Sequence, residues 1–466
     1  MTQPNRSRVI GFGSNLFSQL GDEYAPTKGS SLHKIRTPLY TIDNARSIVA
    51  VCTYQTIYRT HANKVEAIGE FARLLNKVLY RIYPDASLET HLYKAPILVG
   101  RDMIQVALDV EAKIAHFIHY DNESIIQVEM KHQWWLTAAA DGRGRIMAIN
   151  QKNHAFLFDS IHDFQAATQS TEKAHKLRED RKFLPYRLKP DRTLEAIISD
   201  QRATLPSFTK VSAGDSHFVL TAHQPGKEDQ NHVVESALWI FGDARFGAVP
   251  ANAFHQTQLV CKMSTQPSDA TLMDVEYIMP LVLDHVLNLN KLNVTVGSRH
   301  TLIWTNKAEV YGWGWNDDCA LQPFSHPNQP QKEHEERLQG KIENIISEPT
   351  LIHSIPTNCT KSRSDSWGIA ASKDRSMIWC DGKLFVTGSN EFACLGLETD
   401  LQGLQKKRQT TQREFSQIPK TFECVNGFQN HPCFQNRDNV DARVVKVYAT
   451  SLATFLEIDQ NGLSVA

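Results

Sequence analysis

The chain has 466 residues, 41% of them hydrophobic and 22% charged, with a formal net charge of −1. That balance gives no global pull toward nucleic acid or a membrane surface. No apolar run reaches the roughly 18 residues that a spanning helix needs, the start MTQPNRSRVIGFG has no apolar signal region, and the eight cysteines show no paired spacing for disulfides or zinc. The expectation is a protein with reduced thiols, cytoplasmic, nuclear or both, without a membrane segment.

In chain order, RVIGFG reads as a strand that ends in Gly13-Ser14-Asn15, followed by Ser18-Gln19-Leu20-Gly21. SIVAVCTYQTIYRT is an apolar strand, a small turn and a second apolar strand, and it precedes Gly69 in AIGEF. IIQVEMKHQWWLTAAADG stands in the same way before Ala148-Ile149-Asn150 and Asn153. FTKVSAGDSHFVLTA, with Gly214 and His217, precedes Gly242-Asp243-Ala244 and Gly247. LNVTVGSRHTLIWT, with Gly297 and His300, precedes EVYGWGWNDDCALQP, which carries Gly312, Gly314 and Asn316. DSWGIAASKDRSMIWCDG precedes Gly388-Ser389-Asn390 and Ala393-Cys394-Leu395-Gly396. RVVKVYATSLATFLEIDQNG supplies a last strand pair and an Asn461-Gly462 turn.

These are copies of one unit: strand, turn, strand, hairpin, strand, turn, short strand. The hairpin signals Asp141-Gly142 and Asp381-Gly382 fall where the second and third strands should meet. The C-terminus carries the first half of a unit and the N-terminus the second half. Pairing the two closes a ring and removes open edges, whereas a linear solenoid would need capping repeats. The expected fold is all-β, a single β-propeller over residues 1–466 with half-blades from the two termini. Six units are legible. The segment DMIQVALDVEAKIAHFIHYD, 102–121, is a candidate for a seventh. Insertions are expected at about 80–124, 160–206, 251–290 and 322–360.

The pattern G-[SD]-x-H-[TF], an apolar strand, then [WF]-G-x-N with Q-L-G beyond it, resembles the regulator of chromosome condensation repeat family, whose members build seven-bladed propellers. One branch, the small domain-containing members, shares the abrupt start, GSRHT and YGWGWN. A second, the fungal alpha-tubulin suppressor branch, shares the arrangement around Cys319, Leu321 and Gln322. The first branch implies a jumonji-type demethylase partner, chromatin and the mitotic spindle. The second implies a zinc-ribbon electron carrier, diphthamide synthesis, tRNA wobble modification and a link to microtubules. The family's founder implies nucleotide exchange on a Ran-like small GTPase, but no matching β-wedge can be assigned in this sequence.

On the residues themselves, the repeat glycines are read as sites of close backbone approach and positive φ. Trp313 and Trp315 share a strand face with Tyr311 and are read as inter-blade packing. Ser216 and His217 point to opposite faces of a strand, which excludes a nucleophile–base pair, and no G-x-S-x-G elbow is present. His217 and His300 are read as neutral turn-to-strand hydrogen-bonding groups. His431 lies between Cys424 and Cys433, a spacing that does not make a zinc site. No catalytic, cofactor or metal residue emerges, and no direct nucleic-acid contact is expected, because acids interleave the basic stretch KAHKLREDRKFLPYRLKPDR. Within that stretch Arg181, Phe183, Tyr186 and Arg187 are candidate protein-partner residues. So are Asp317 and Asp318, where the repeat would prefer a glycine.

Overall fold

Period-two runs rich in Val, Ile, Phe and Trp dominate the chain, and in a computed structural model they pair as antiparallel strands. The structure describes residues 8–14, 20, 39–42, 44–83, 96–131, 134–169, 186–187, 207–223, 236–242, 247–248, 279–281, 293–305, 309–316, 320–321, 345–354, 367–380, 383–389, 394–395, 423–424 and 443–459. Among these, the strands form seven sheets.

The first strands are β1 (Arg8–Gly13) and β2 (Leu39–Thr41). A three-stranded sheet follows, β3 (Ala45–Val51), β4 (Gln55–Thr60) and β5 (Val65–Gly69), and then helix α1 (Ala72–Ile82). The next sheet is β6 (Ile97–Val99), β7 (Val106–Asp109), β8 (Ile114–His119) and β9 (Ser124–Glu129). After it come β10 (Trp135–Ala140), β11 (Ile146–Asn150), β12 (Ala155–Phe158), helix α2 (Ile161–Gln169) and β13 (Tyr186–Arg187). β14 (Ser207–Ala213), β15 (His217–His223), β16 (Ser236–Gly242) and β17 (Met279–Leu281) make a further sheet. β18 (Asn293–Val296), β19 (His300–Trp304), β20 (Glu309–Trp315) and β21 (Ile345–Ser354) make another. β22 (Trp367–Ser372), β23 (Arg375–Cys380), β24 (Lys383–Gly388) and β25 (Glu423–Cys424) follow. β26 (Arg443–Ala449) and β27 (Ala453–Asp459) end the described chain.

The termini combine as the half-units predict. The sheet order is β2-β1-β27-β26, with β1 paired to β27 from Arg8↔Ile458 to Gly13↔Ala453. The candidate seventh unit is also a sheet: residues 102–121 lie within β6–β9.

The chain divides into two compact units, one of Met1–Leu88, Asn316–Asn344 and Ile352–Ala466, the other of Glu89–Trp315 and Ile345–Leu351. Each unit has cores that draw on neighbouring sheets. In the first, Ile10, Phe12, Met377, Trp379, Val386 and Leu456 cluster together. In the second, Phe117, Trp135, Phe158 and Phe164 do so, with Trp135 Nε1 donating to Thr168 Oγ1 of α2 at 3.0 Å. Helix α2 starts on a reciprocal cap: Ser160 Oγ accepts from Asp163 N at 3.2 Å and donates to Asp163 Oδ2 at 2.5 Å.

Several sequence expectations need correction. All four spans read as insertions contain strands: β6–β8 and the first residue of β9 in 80–124, β13 in 160–206, β17 in 251–290 and β21 in 322–360. β9 follows β8 directly, but β13, β17 and β21 each follow the third strand of their sheet only after a long stretch of chain, so the Ala320-Leu321 pair after EVYGWGWNDDC is not the fourth strand. The reading around Asn150 is one strand out of step. IIQVE is the fourth strand of the preceding sheet, Asn150 ends a second strand, and Asp141-Gly142 joins a first strand to a second. The cause is physical: an Asp-Gly pair signals a tight turn whichever two strands it connects.

Candidate functional site: the turns between first and second strands

In each sheet the chain leaves the first strand through a tight turn and enters the second on a residue that must be buried. In the second unit the residue at or just before the second strand is apolar in one sheet, Val106, and polar in the other three, Arg145, His217 and His300, exposed by 9%, 0% and 1%. Burial of such polar groups requires hydrogen-bond partners, and neighbouring sheets supply some of them. Arg145 Nη2 donates to Ser216 O at 3.4 Å, and His217 Nε2 meets Thr301 Oγ1 at 2.9 Å. In the first unit Arg375 Nη2 donates to Thr450 O. The backbone follows the same route: Gly142 N donates to Gly214 O at 3.2 Å, and Asp215 N to Ser298 O at 2.8 Å.

Each polar group is tuned by its surroundings. Asp141 is buried and receives Arg145 Nε on Oδ2 at 2.7 Å, with the backbone N–H groups of Arg143 and Arg145 on Oδ1 at 3.0 and 2.9 Å. Burial pushes its carboxyl up, against the downward pull of Arg145 and those N–H donors. His217 is pushed down to about 3, first by burial, then by His300 and Arg101, with Asp215 opposing. It is therefore a neutral imidazole. Ser216 Oγ, Ser298 Oγ and His217 Nδ1 are buried without a partner among the described residues. Serine and histidine thus form no nucleophile–base pair at this turn.

The turn tips carry charge. Arg101 reaches past the intervening turn to Asp215 Oδ1 at 2.6 Å and to Ala213 O at 3.2 Å. Arg143 is exposed and Arg299 half-exposed on the following turns. Among the described residues no group of three or more His, Cys, Asp or Glu side chains could hold a metal ion, and no helix is long and apolar enough to cross a membrane.

The other end of each repeat motif has its own reason. Gly314 has φ +113°, and a Cβ there would run into Arg299 O. Gly13, Gly69, Gly242 and Gly388 also have positive φ, each against the residue just before a second strand. Gly312 is buried opposite Leu302 in the strand body. Asn316 is 2% exposed, and its Oδ1 accepts from Leu321 N at 2.8 Å, which closes the turn. Trp313 is buried and its Nε1 donates to Ala248 O of the preceding sheet's turn at 3.0 Å, whereas Trp315 and Tyr311 are half-exposed. Gly214 and Gly297 leave room for the rings of His217 and His300.

Of the candidate partner residues, Tyr186 and Arg187 belong to β13, paired to Leu157 and Phe156 of β12, rather than to an inserted loop. Arg181, Phe183, Asp317 and Asp318 lie outside the described residues, as do Asn15, Gly21, Asn390 and Gly396. Helix α1 was missed. Its signal was present, since Leu74, Leu75, Val78 and Leu79 recur at helical spacing and are the residues it buries. The repeat pattern does not mark it, because α1 takes the place where the other sheets have a fourth strand.

No protein-family model matches the sequence, and no curated protein matches it. Solved structures do. Prp20p from Saccharomyces cerevisiae, described with its binding properties to Gsp1p and histones, is 15% identical with a TM-score of 0.53, over 99% of this chain and 93% of that one. Human WBSCR16 is 10% identical with a TM-score of 0.50, over 97% of this chain and 99% of that one. The likeness shows the fold, an all-β propeller of the regulator of chromosome condensation type.

Proposed function

We propose that this propeller is a non-enzymatic protein-interaction scaffold, working in the cytoplasm, the nucleus or both. The observation that carries the reading is where the polar residues of the repeat go. Asp141, Arg145, His217 and Arg375 are buried and bonded within or between sheets, so they build the frame and are not presented to a substrate. Function is left to exposed turns and edges, where rigid scaffolds usually carry it. The resemblance in sequence names two partner classes, a jumonji-type demethylase at chromatin or spindle and a zinc-ribbon electron carrier of tRNA wobble modification and diphthamide synthesis. Affinity purification of the tagged full chain with mass spectrometry tests them. Recovery of neither class would remove both partner assignments.

A second reading is nucleotide exchange on a Ran-like small GTPase. It is favoured by the likeness to Prp20p, which is described with binding to Gsp1p. The pure chain is mixed with a Ran-type GTPase loaded with labelled GDP. Unaccelerated release of the label sinks this reading and leaves the scaffold standing.

A further inference from the structure

The sheet β3–β5 has no fourth strand among the described residues, and α1 stands beside β5 instead. Two features fix it there. Leu74, Leu75, Val78 and Leu79 are buried, and the side-chain amide of Asn76 imitates a strand: Oδ1 accepts from Ala67 N at 2.7 Å and Nδ2 donates to Ala67 O at 3.1 Å. The helix ARLLNKVLYRI is thus held in one rotation about its axis, and its opposite face is fixed with it.

That face is basic and aromatic. Arg73, Lys77 and Arg81 recur every four residues, with Tyr80 between the last two, and all four are exposed. Successive cations stand about 6 Å apart along the axis. The helix contains no acidic residue. Arg73, Lys77 and Arg81 make no ion pair among the described residues. The nearest acids in sequence are Glu70 and Asp85, the latter outside the described residues, with Glu66 further back. Glu66 accepts from Tyr58 Oη at 3.3 Å. Tyr80, 56% exposed, is the most exposed large apolar side chain described. On a chain of net charge −1, such a stripe is a local exception.

We propose that the Arg73–Lys77–Tyr80–Arg81 face of α1 is a docking surface for an acidic segment of a protein partner, one with carboxylates at helical i, i+4 spacing and an apolar residue beside them. The carboxylates match the cations in sign and in spacing, and Tyr80 covers the apolar residue. Arginine and tyrosine are the residues that anchor protein interfaces. A nucleic-acid site would draw on a wider basic field and several stacking rings, and one tyrosine on a near-neutral chain does not supply them. The proposal deepens the scaffold reading and rests on it.

The test uses the full chain and a fluorescent peptide of about 20 residues with Glu at i, i+4 and i+8 and Leu between. The same peptide with Gln for Glu, a single-stranded oligonucleotide and anionic vesicles serve as competing probes. The acidic peptide is expected to bind, with affinity falling about tenfold in Arg73→Glu/Lys77→Glu/Arg81→Glu and by a smaller factor in Tyr80→Ala. Lys131→Glu, at an exposed site of the other unit, is expected to leave it unchanged. Thermal melts of every variant are expected to match the parent, because the substituted side chains are exposed. No binding by the parent, equal binding by the charge-reversed variant, or tighter binding of the oligonucleotide or vesicles overturns the proposal. So does undiminished capture of the cellular partner by the charge-reversed chain, an outcome that leaves the scaffold reading intact.

Discussion

At the start of the second strands, Arg145, His217 and Arg375 are buried and each reaches a neighbouring sheet of its unit. At the edge of β5 four buried apolar residues and one amide, Asn76, hold a helix where other sheets have a strand. The first region repeats because its geometry allows few residues: a polar group there must be neutral or paired, and the backbone passes so close that five of the seven third strands end on or beside a glycine. The second varies because an edge can be closed by any element that satisfies its backbone groups. A repeat fold is therefore tight where its sheets meet and permissive at the far edge, and it is the edge that is free to acquire a surface such as the basic face of α1.

The strongest way to break that contrast is at Asp141. Replacing it with Ala leaves the Arg145 guanidinium buried beside the rings of Phe218 and Phe241 with its carboxylate gone. Stripping one partner from a buried pair costs about 3–5 kcal/mol, read as a lower urea midpoint. Exchanging both members, Asp141→Leu with Arg145→Met, should cost much less, because no charge is then left unpaired. A loss under about 1 kcal/mol in Asp141→Ala, the level of an exposed pair, would mean that the turn is not a clamp.

Glycine sharpens the comparison further. Gly314 and Gly144 both have positive φ, +113° and +81°, but a Cβ at Gly314 meets Arg299 O whereas one at Gly144 meets nothing within 4 Å. Gly144→Ala should cost about 1 kcal/mol of backbone strain, and Gly314→Ala about 3 kcal/mol because strain and collision add. Equal losses in thermal melts would show that conformation alone, and not the approach of the next strand, explains the repeat glycine.

His217 gives a prediction in pH. Its folded value near 3 lies below the ordinary 6.5, so below about pH 6.5 the unfolded chain binds a proton that the folded chain refuses. Stability from this group is full above that point and falls as pH drops toward 3, by about 2 kcal/mol at pH 5. His217→Gln cannot titrate, and its stability curve should lose that part of the acid limb. Parallel curves for parent and variant between pH 6.5 and 5 would refute the assignment.

How much was legible follows the same division. First, second and third strands are readable wherever Gly214-Asp215-Ser216-His217 or its like meets an apolar run, and the terminal half-units predict the β1–β27 pairing. The register around Asn150 failed because Arg145 replaces the histidine and Asp141 the glycine, so the turn lost its letters while keeping its role. Fourth strands such as Tyr186–Arg187 and Glu423–Cys424 are two residues long, below the length at which alternation can be detected. The clamps of Arg101 on Asp215 and of Asn76 on Ala67 join residues that are separated in sequence and unmarked by any motif, so only coordinates reveal them.

The smallest predicted effect is at Asn76. Ala removes both hydrogen bonds to Ala67, whose N–H and C=O lie on an edge that water can reach only if α1 moves. The four buried apolar residues of the helix remain, and they supply most of its hold. The expected cost is about 1 kcal/mol, the net worth of a hydrogen-bond pair near the surface. Hydrogen exchange is the sharper measurement, since the Ala67 amide should lose protection while that of Tyr58, bonded within the sheet, keeps it. If Ala67 stays protected in Asn76→Ala, packing alone closes the edge, and the rotation of α1 that faces Arg73, Lys77 and Arg81 outward is set by its leucines rather than by its asparagine.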